Sequence, residues 1–234
     1  MTPEERRSFI ASHTTLEPAP FVPEIRLHMG GVAMPLWEAM VFADERHPVP
    51  PPFWAWPWAG GQALARYVLD EPGLVRGRRV VDVGAGGGVV AIAAALSGAS
   101  AVTAVDIEPF AIEAARLNAA ANGVSLHLVE GDPVGGDDGW DVVLAGDVWY
   151  EADLAAHFEP WLRALAARGA DVLTGDLGRA YVPADGLMVL ATYVVPTLVD
   201  LEDVPEKSAR VLRLLSAPTA GFPPPAPAQP RARP

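Results

Sequence analysis

The sequence predicts an α/β protein: a doubly wound, seven-stranded, mostly parallel sheet with helices on both faces and one antiparallel edge strand. Three observations carry this. Short apolar runs alternate with helical stretches from Arg79 to Thr174, the order that builds a parallel sheet. The runs VVDV, AVTAVD, DVVLAG and ADVLTG are apolar at successive positions, as in strands buried on both faces. A glycine-rich turn in VVDVGAGGG joins the first run to a helix.

Residues 1–50 mix charged and apolar positions without sustained periodicity and read as an N-terminal extension that packs on the core. A helix from Pro3 to Ser12 opens it, since Glu4 and Glu5 suit a helix N-terminus. The main domain is 51–216. In PPPFWAWPWAGG, Pro50 to Gly61, three tryptophans crowd among prolines and glycines, which predicts an irregular segment leading into a helix from Gln62 to Leu69. Strands follow at Arg79–Val83, Ala101–Asp106, Leu126–Glu130, Asp141–Ala145 and Asp171–Thr174, with helices at Gly88–Ser97, Pro109–Ala121 and Asp153–Ala167. Pro109 at a first helical position and an Ala-Asn-Gly stop bound the second of these helices. Two last strands, Leu187–Val194 and Arg210–Leu215, flank an acidic loop with Asp200, Glu202, Asp203 and Glu206 and close the sheet edge. Residues 217–234 are nearly all Pro, Ala and Arg and predict a disordered tail.

At 234 residues the chain suffices for one domain with a full core. Its net charge of −12 opposes a general affinity for nucleic acid, which needs a basic footprint. A basic partner or a small molecule fits better, and acidity also serves solubility. With no cysteine and five scattered histidines, a metal site is not expected. No apolar run approaches the roughly 20 residues that cross a bilayer, and the N-terminus lacks the apolar stretch of a secretory signal. A cytoplasmic monomer is expected, with no membrane partner.

The glycine turn carries the strongest chemical signal. Asp82, Gly84, Gly86 and Gly88 follow a buried strand and precede a helix, so a ligand can approach the backbone with no Cβ between. A dinucleotide fingerprint, read from Gly84, puts the large Val89 where helix packing needs a small residue; read from Gly86, it starts two residues late. The pattern D-x-G-x-G-x-G fits without adjustment. Asp106 ends the next strand, where a forked anionic acceptor suits two neighbouring ribose hydroxyls. That placement identifies a nucleoside rather than one cofactor. Asp132, in VEGDP, stands just past the third strand, as a ligand or as a turn former.

Beyond the fourth strand the chain reads GDVWY, which places Asp147, Trp149 and Tyr150 at the carboxyl end of the sheet, where ligands bind. The blocks FWAWPWAGGQALARYVLD, VVDVGAGGGVVAIAAALSGAS, WDVVLAGDVWYEADLA and TGDLGR span roughly half of the chain from Phe53 to Arg179. They resemble the Rossmann-like class I methyltransferases, and within them the electron-transfer-flavoprotein β-subunit lysine methyltransferase family. Residues 1–50 and the Pro-rich tail have no counterpart in that resemblance.

The resemblance implies S-adenosyl-L-methionine as cofactor and protein-lysine N-methylation, of the electron transfer flavoprotein β-subunit or a ribosomal protein. By it, Asp82 meets the α-ammonium side of the cofactor, Asp106 the ribose and Asp132 the adenine. Trp58, just before the Ala-Gly-Gly turn, is expected nearest the cofactor among the three tryptophans. Asp147 would orient the acceptor amine, with Tyr150 and Trp149 walling a channel by cation-π contact. For Trp149 and Tyr150, plain core packing is the competing reading. Methylation of a small-molecule amine or hydroxyl, and a non-catalytic cofactor-binding module, are the alternatives. A dehydrogenase is disfavoured by the glycine spacing.

Overall fold

A computed structural model describes residues 1–31, 33–43, 50–197 and 203–216. The expected tail, 217–234, lies outside the described residues, as do Asp200 and Glu202 of the acidic loop. The chain opens with α1 (Pro3–His13), capped by Thr2, whose hydroxyl accepts from the Glu5 amide while the Glu5 carboxylate accepts from the Thr2 amide. Such reciprocal capping satisfies two amides that the first helical turn leaves without partners. The strands β1 (Thr15–Pro18) and β2 (Arg26–Met29) then form an antiparallel pair, followed by α2 (Ala33–Ala43).

Neither that pair nor α2 was legible as an element, and the hydrogen bonds explain why. The outer edge of β2 pairs with side chains instead of another strand. His28 N–H donates to Asn118 Oδ1 at 2.7 Å, and Arg26 N–H donates to Asn122 Oδ1 at 2.9 Å. Four-residue strands held by asparagines some ninety residues away leave no local periodicity to read.

The main sheet contains β3 (Arg79–Val83), β4 (Ala101–Asp106), β5 (His127–Glu130), β6 (Val142–Gly146), β7 (Asp171–Asp176), β8 (Leu187–Pro196) and β9 (Glu206–Leu214). Their spatial order is β5-β4-β3-β6-β7-β9-β8. The first five are mutually parallel. The antiparallel strand of this edge is β9, which inserts between β7 and the outermost strand β8.

Four helices join the sheet: α3 (Ala59–Asp70), α4 (Val89–Leu96), α5 (Pro109–Ala121) and α6 (Ala152–Ala167). Successive residues of one strand are buried on opposite faces. Val80, Val142 and Leu144 pack with Leu64, Val68 and Ile92 of α3 and α4. Val81, Val83, Val143 and Ala145 pack with Phe158 and Leu162 of α6. Each such side chain removed from water contributes about 1.5–3 kcal/mol, so the two-sided burial read from the apolar runs is the fold's main source of stability. A third cluster joins Phe9 and Ile10 of α1 to Trp54, Trp56 and Phe110, and so packs the first helix on the sheet's helical layer.

Helix α3 begins three residues before its expected start, taking in Ala59, Gly60 and Gly61. A Cβ on Gly60 would overlap the Gly175 carbonyl oxygen and lie 2.7 Å from both Asp147 carboxylate oxygens, and one on Gly175 would overlap the Gly60 carbonyl. Paired glycines let this helix start directly on the ends of β6 and β7. They read as turn residues because glycine is the poorest helix former after proline.

Candidate active site

The strand order reverses between β3 and β6, and a crevice opens where the connections from their carboxyl ends diverge. A cleft open to solvent lies there. Its floor is Asp82, Gly84, Gly86, Gly87, Gly146 and Asp147, and its roof is the Phe53–Trp58 segment with His28 and Met29 of β2.

The cradle is the β3–α4 turn. Gly84, Gly86 and Gly88 have φ of 63°, 53° and 82°, a left-handed run that side chains with a Cβ enter only at a cost. Gly87 passes so close beneath the tryptophan segment that a Cβ would stand 2.9 Å from the Trp54 carbonyl oxygen. Asn118, fully buried, fastens the turn: its Nδ2 donates to the Gly87 carbonyl at 2.8 Å while its Oδ1 holds His28. One side chain thus ties the cradle to β2.

Two acids flank the turn. Asp82, buried beneath it, accepts the Ala91 amide at 2.9 Å; burial, with the nearby Asp106 adding to it, pushes its carboxyl up to about 8. Asp106 accepts the Gly86 amide at 2.8 Å and the Glu108 amide at 3.0 Å, and burial raises it too. Glu108 caps α5 through the Ala111 amide and is lifted to about 7 by burial. Clustered carboxyls with raised proton affinity suit a cationic ligand, whose charge would favour their ionised form.

At the opposite wall, Asp147 takes a left-handed backbone, φ 57°, at the end of β6. Its Oδ2 accepts the Gly61 amide at 2.6 Å, and its Oδ1 pairs with Arg179 Nη1 at 2.5 Å. Burial lifts this carboxyl to about 6 against the pull of Arg179, with Asp176 adding to the lift. Tyr150 is half-exposed, its ring 6.3 Å from that of Phe53, and its phenol is raised by partial burial and by Glu151 and Asp106.

Trp58 lines the cleft, and its Nε1 donates to the Phe53 carbonyl at 2.9 Å. Gly88, Asp106 and Tyr150 stand beside the cleft without lining it, and neither does Asp132, one oxygen of which accepts the Val134 amide while the other pairs with His157 at 2.7 Å, an arrangement that shapes the turn after β5. Trp149 corrects the expectation of a channel wall. It is fully buried among Phe158, Trp161 and Leu162 on the α6 face, its Nε1 donating to Thr174 Oγ1 at 2.8 Å. With its ring on the far face of the sheet and its only polar atom satisfied, it has no surface to offer a substrate.

Three contributors went unassigned in the sequence. Asn118 and Arg179 act across 31 and 32 residues of chain, a separation with no periodic signal. Trp54 stacks on Phe110, rings 5.9 Å apart and 8° from parallel, and its Nε1 is buried with no hydrogen-bond partner among the described residues. The glycine cradle and the carboxylates beside it fit an S-adenosylmethionine molecule.

A sheet of this order with such a glycine turn after its first parallel strand marks the class I methyltransferases, and this protein is one. The P. horikoshii putative RNA methyltransferase structure shares the fold, with a TM-score of 0.52 at 17% identity over 79% of this chain and 98% of that one. A family model, "Ribosomal protein L11 methyltransferase (PrmA)", matches residues 63–148. Nearer relatives are the electron transfer flavoprotein beta subunit lysine methyltransferases of Xenopus laevis, 44% identical over 74% of this chain and 71% of theirs, and of Danio rerio, 40% identical over 76% and 69%. The chain belongs to that lysine methyltransferase family and is an S-adenosylmethionine-dependent enzyme that methylates lysine in a protein substrate. Among the described residues no helix is long and apolar enough to cross a membrane.

Proposed function

We propose that the protein methylates lysine on the electron transfer flavoprotein β-subunit, as a cytoplasmic monomer, with Asp147 receiving the acceptor nitrogen and Tyr150 guarding the approach. The observation that carries this reading is the position of Asp147: a carboxylate only 11% exposed in the cleft floor, across from the glycine cradle and three residues before a half-exposed tyrosine.

Asp82, Gly84, Gly86 and Asp106 would hold the cofactor, with Trp58 and Trp54 above it. Once bound, it would supply a methyl carbon on a sulfonium, open to in-line attack by the lone pair of a neutral amine with the thioether as leaving group. Orientation is then the protein's main contribution, since a well-placed pair of reactants gains several powers of ten in rate. Asp147 can accept an N–H of the incoming lysine and aim its lone pair. A free lysine has a pKa of about 10.4, so it must shed a proton to solvent first. Tyr150 offers a ring face to the lysine stem and to its methylated product. Asp132, its carboxylate spent on a turn, contributes only to the loop beside the cofactor site.

The direct test is incubation with methyl-labelled S-adenosylmethionine and purified electron transfer flavoprotein, with mapping of the label by mass spectrometry. Label on a β-subunit lysine, lowered about 100-fold by Asp147→Asn while cofactor affinity stays within a few-fold, is the expected result. Label on a ribosomal protein in lysate, with none on the flavoprotein, replaces the substrate. Full activity in the variant removes Asp147 from its role.

A further inference from the structure

Two carboxylates and one guanidinium meet where β6 and β7 end. Arg179 Nη1 stands 2.5 Å from Asp147 Oδ1, and the Gly61 amide holds Oδ2 at 2.6 Å. Asp176, fully buried, accepts the Gly178 and Arg179 amides at 2.5 and 2.8 Å through Oδ1, while its Oδ2 has no hydrogen-bond partner among the described residues. The β9 partner of Asp176 is Arg210, whose guanidinium lies beside Gly178. Tyr150 feels Arg179, Asp106 and Glu151. Helix α3, packed on Asp147, brings no acidic residue in its first turn.

We infer that Arg179 is a positioning residue that selects an uncharged amine as acceptor, an inference that rests on Asp147 meeting the acceptor nitrogen. Both Asp147 oxygens are engaged, one by a guanidinium and one by a backbone amide. The carboxylate keeps lone pairs for the N–H of a neutral amine but has little uncompensated charge with which to retain an ammonium. Without Arg179 the same buried carboxylate would act as a counter-ion. An opposite charge at that range raises an amine's pKa by roughly 1–3 units, which would hold the nucleophile in its inert, protonated form. With Arg179 in place the ammonium gains little on entry, loses its proton to solvent at the mouth of the cleft, and presents its lone pair. The loop that carries Arg179 is fixed by Asp176, whose Oδ1 gathers the Gly178 and Arg179 amides.

The test is single-turnover methylation of the protein substrate from pH 6 to 10 by the wild type, Arg179→Gln and Arg179→Lys, each first checked for cofactor binding by calorimetry. Arg179→Gln is expected to move the rising limb of the profile up by about one unit, an approximately tenfold loss near neutral pH that is recovered at high pH. Arg179→Lys restores the wild-type limb. A loss of equal size at every pH, or an unmoved limb, overturns the inference. A second measurement needs no variant. The substrate with norleucine in place of its target lysine should inhibit the wild type with a constant within about threefold of the substrate's own affinity, whereas an ammonium-retaining site would weaken it at least tenfold. Full activity in Asp147→Asn would defeat the underlying reading instead, so the two failures are separable.

Discussion

Under the proposed function the two walls of the cleft meet different demands by opposite means, one holding a cationic cofactor and the other receiving an uncharged amine. The cofactor wall is local. Gly84, Gly86, Asp82 and Asp106 come from one β3-α4-β4 stretch, and what they offer is backbone and carboxyls whose proton affinity burial raises. The acceptor wall is assembled from afar. Asp147 meets Gly61 across 86 residues and Arg179 across 32, and its charge is compensated in advance. A local wall can wait for its ligand to complete it; a composite one must be complete before the substrate arrives.

The largest expected effect strikes the composite wall. In Gly175→Ala the new methyl overlaps the Gly60 carbonyl, where backbone on both sides leaves no flexible group to yield. A destabilisation of about 3 kcal/mol and a thermal midpoint lower by roughly 6–12 °C follow, read by calorimetry. A midpoint unchanged by this substitution would mean that α3 is not clamped on β7. Next comes the cofactor wall: Asp106→Ala should weaken S-adenosylmethionine binding roughly 10- to 100-fold by titration calorimetry. The Michaelis constant for the lysine substrate stays put if the walls work independently.

A pH series sharpens the contrast. Asp82 has a carboxyl near 8 in the fold against an ordinary value of 3.8. Below pH 4 both the folded and unfolded chains carry its proton. Between 4 and 8 the unfolded chain releases that proton and the folded one keeps it, so this group makes stability fall as pH rises through the window. The cofactor-free thermal midpoint should therefore drop from pH 5 to 8, and should drop less in Asp82→Asn. The smallest effect belongs to neither wall. Trp149→Phe loses the hydrogen bond to Thr174, a cost of about 1 kcal/mol, visible as a midpoint lower by roughly 2–4 °C, with kcat/KM within twofold of wild type. A tenfold fall in kcat would return Trp149 to the channel.

The local wall was largely legible in the sequence and the composite one was not, for the same reason. A turn spelled D-x-G-x-G-x-G shows its ligand-facing backbone in seven consecutive letters, and Asp106 follows at the end of the next apolar run. The five parallel strands were legible too, because two-sided burial writes unbroken apolar runs. Asp147 was recognisable by its place at a strand end, whereas its two partners were not: Gly61 reads as a turn glycine, and Arg179 closes the TGDLGR block with no role assigned to it. Trp149 was misplaced because a strand's carboxyl end has two faces, and the order of letters does not say which one a ring will take.

The position of β9 carries a consequence in time. It is the last strand of the sheet in chain order, yet it lies between β7 and β8, with Gly175 and Asp176 of β7 paired to Val211 and Arg210. A chain emerging from the ribosome can fold β3, α4, β4 and α5 from neighbouring segments, whereas β7 has an open edge until β9 is made. On the proposed assignment, the segments that would grip the cofactor can therefore pair early, and the β7 end beside Asp147 is completed last.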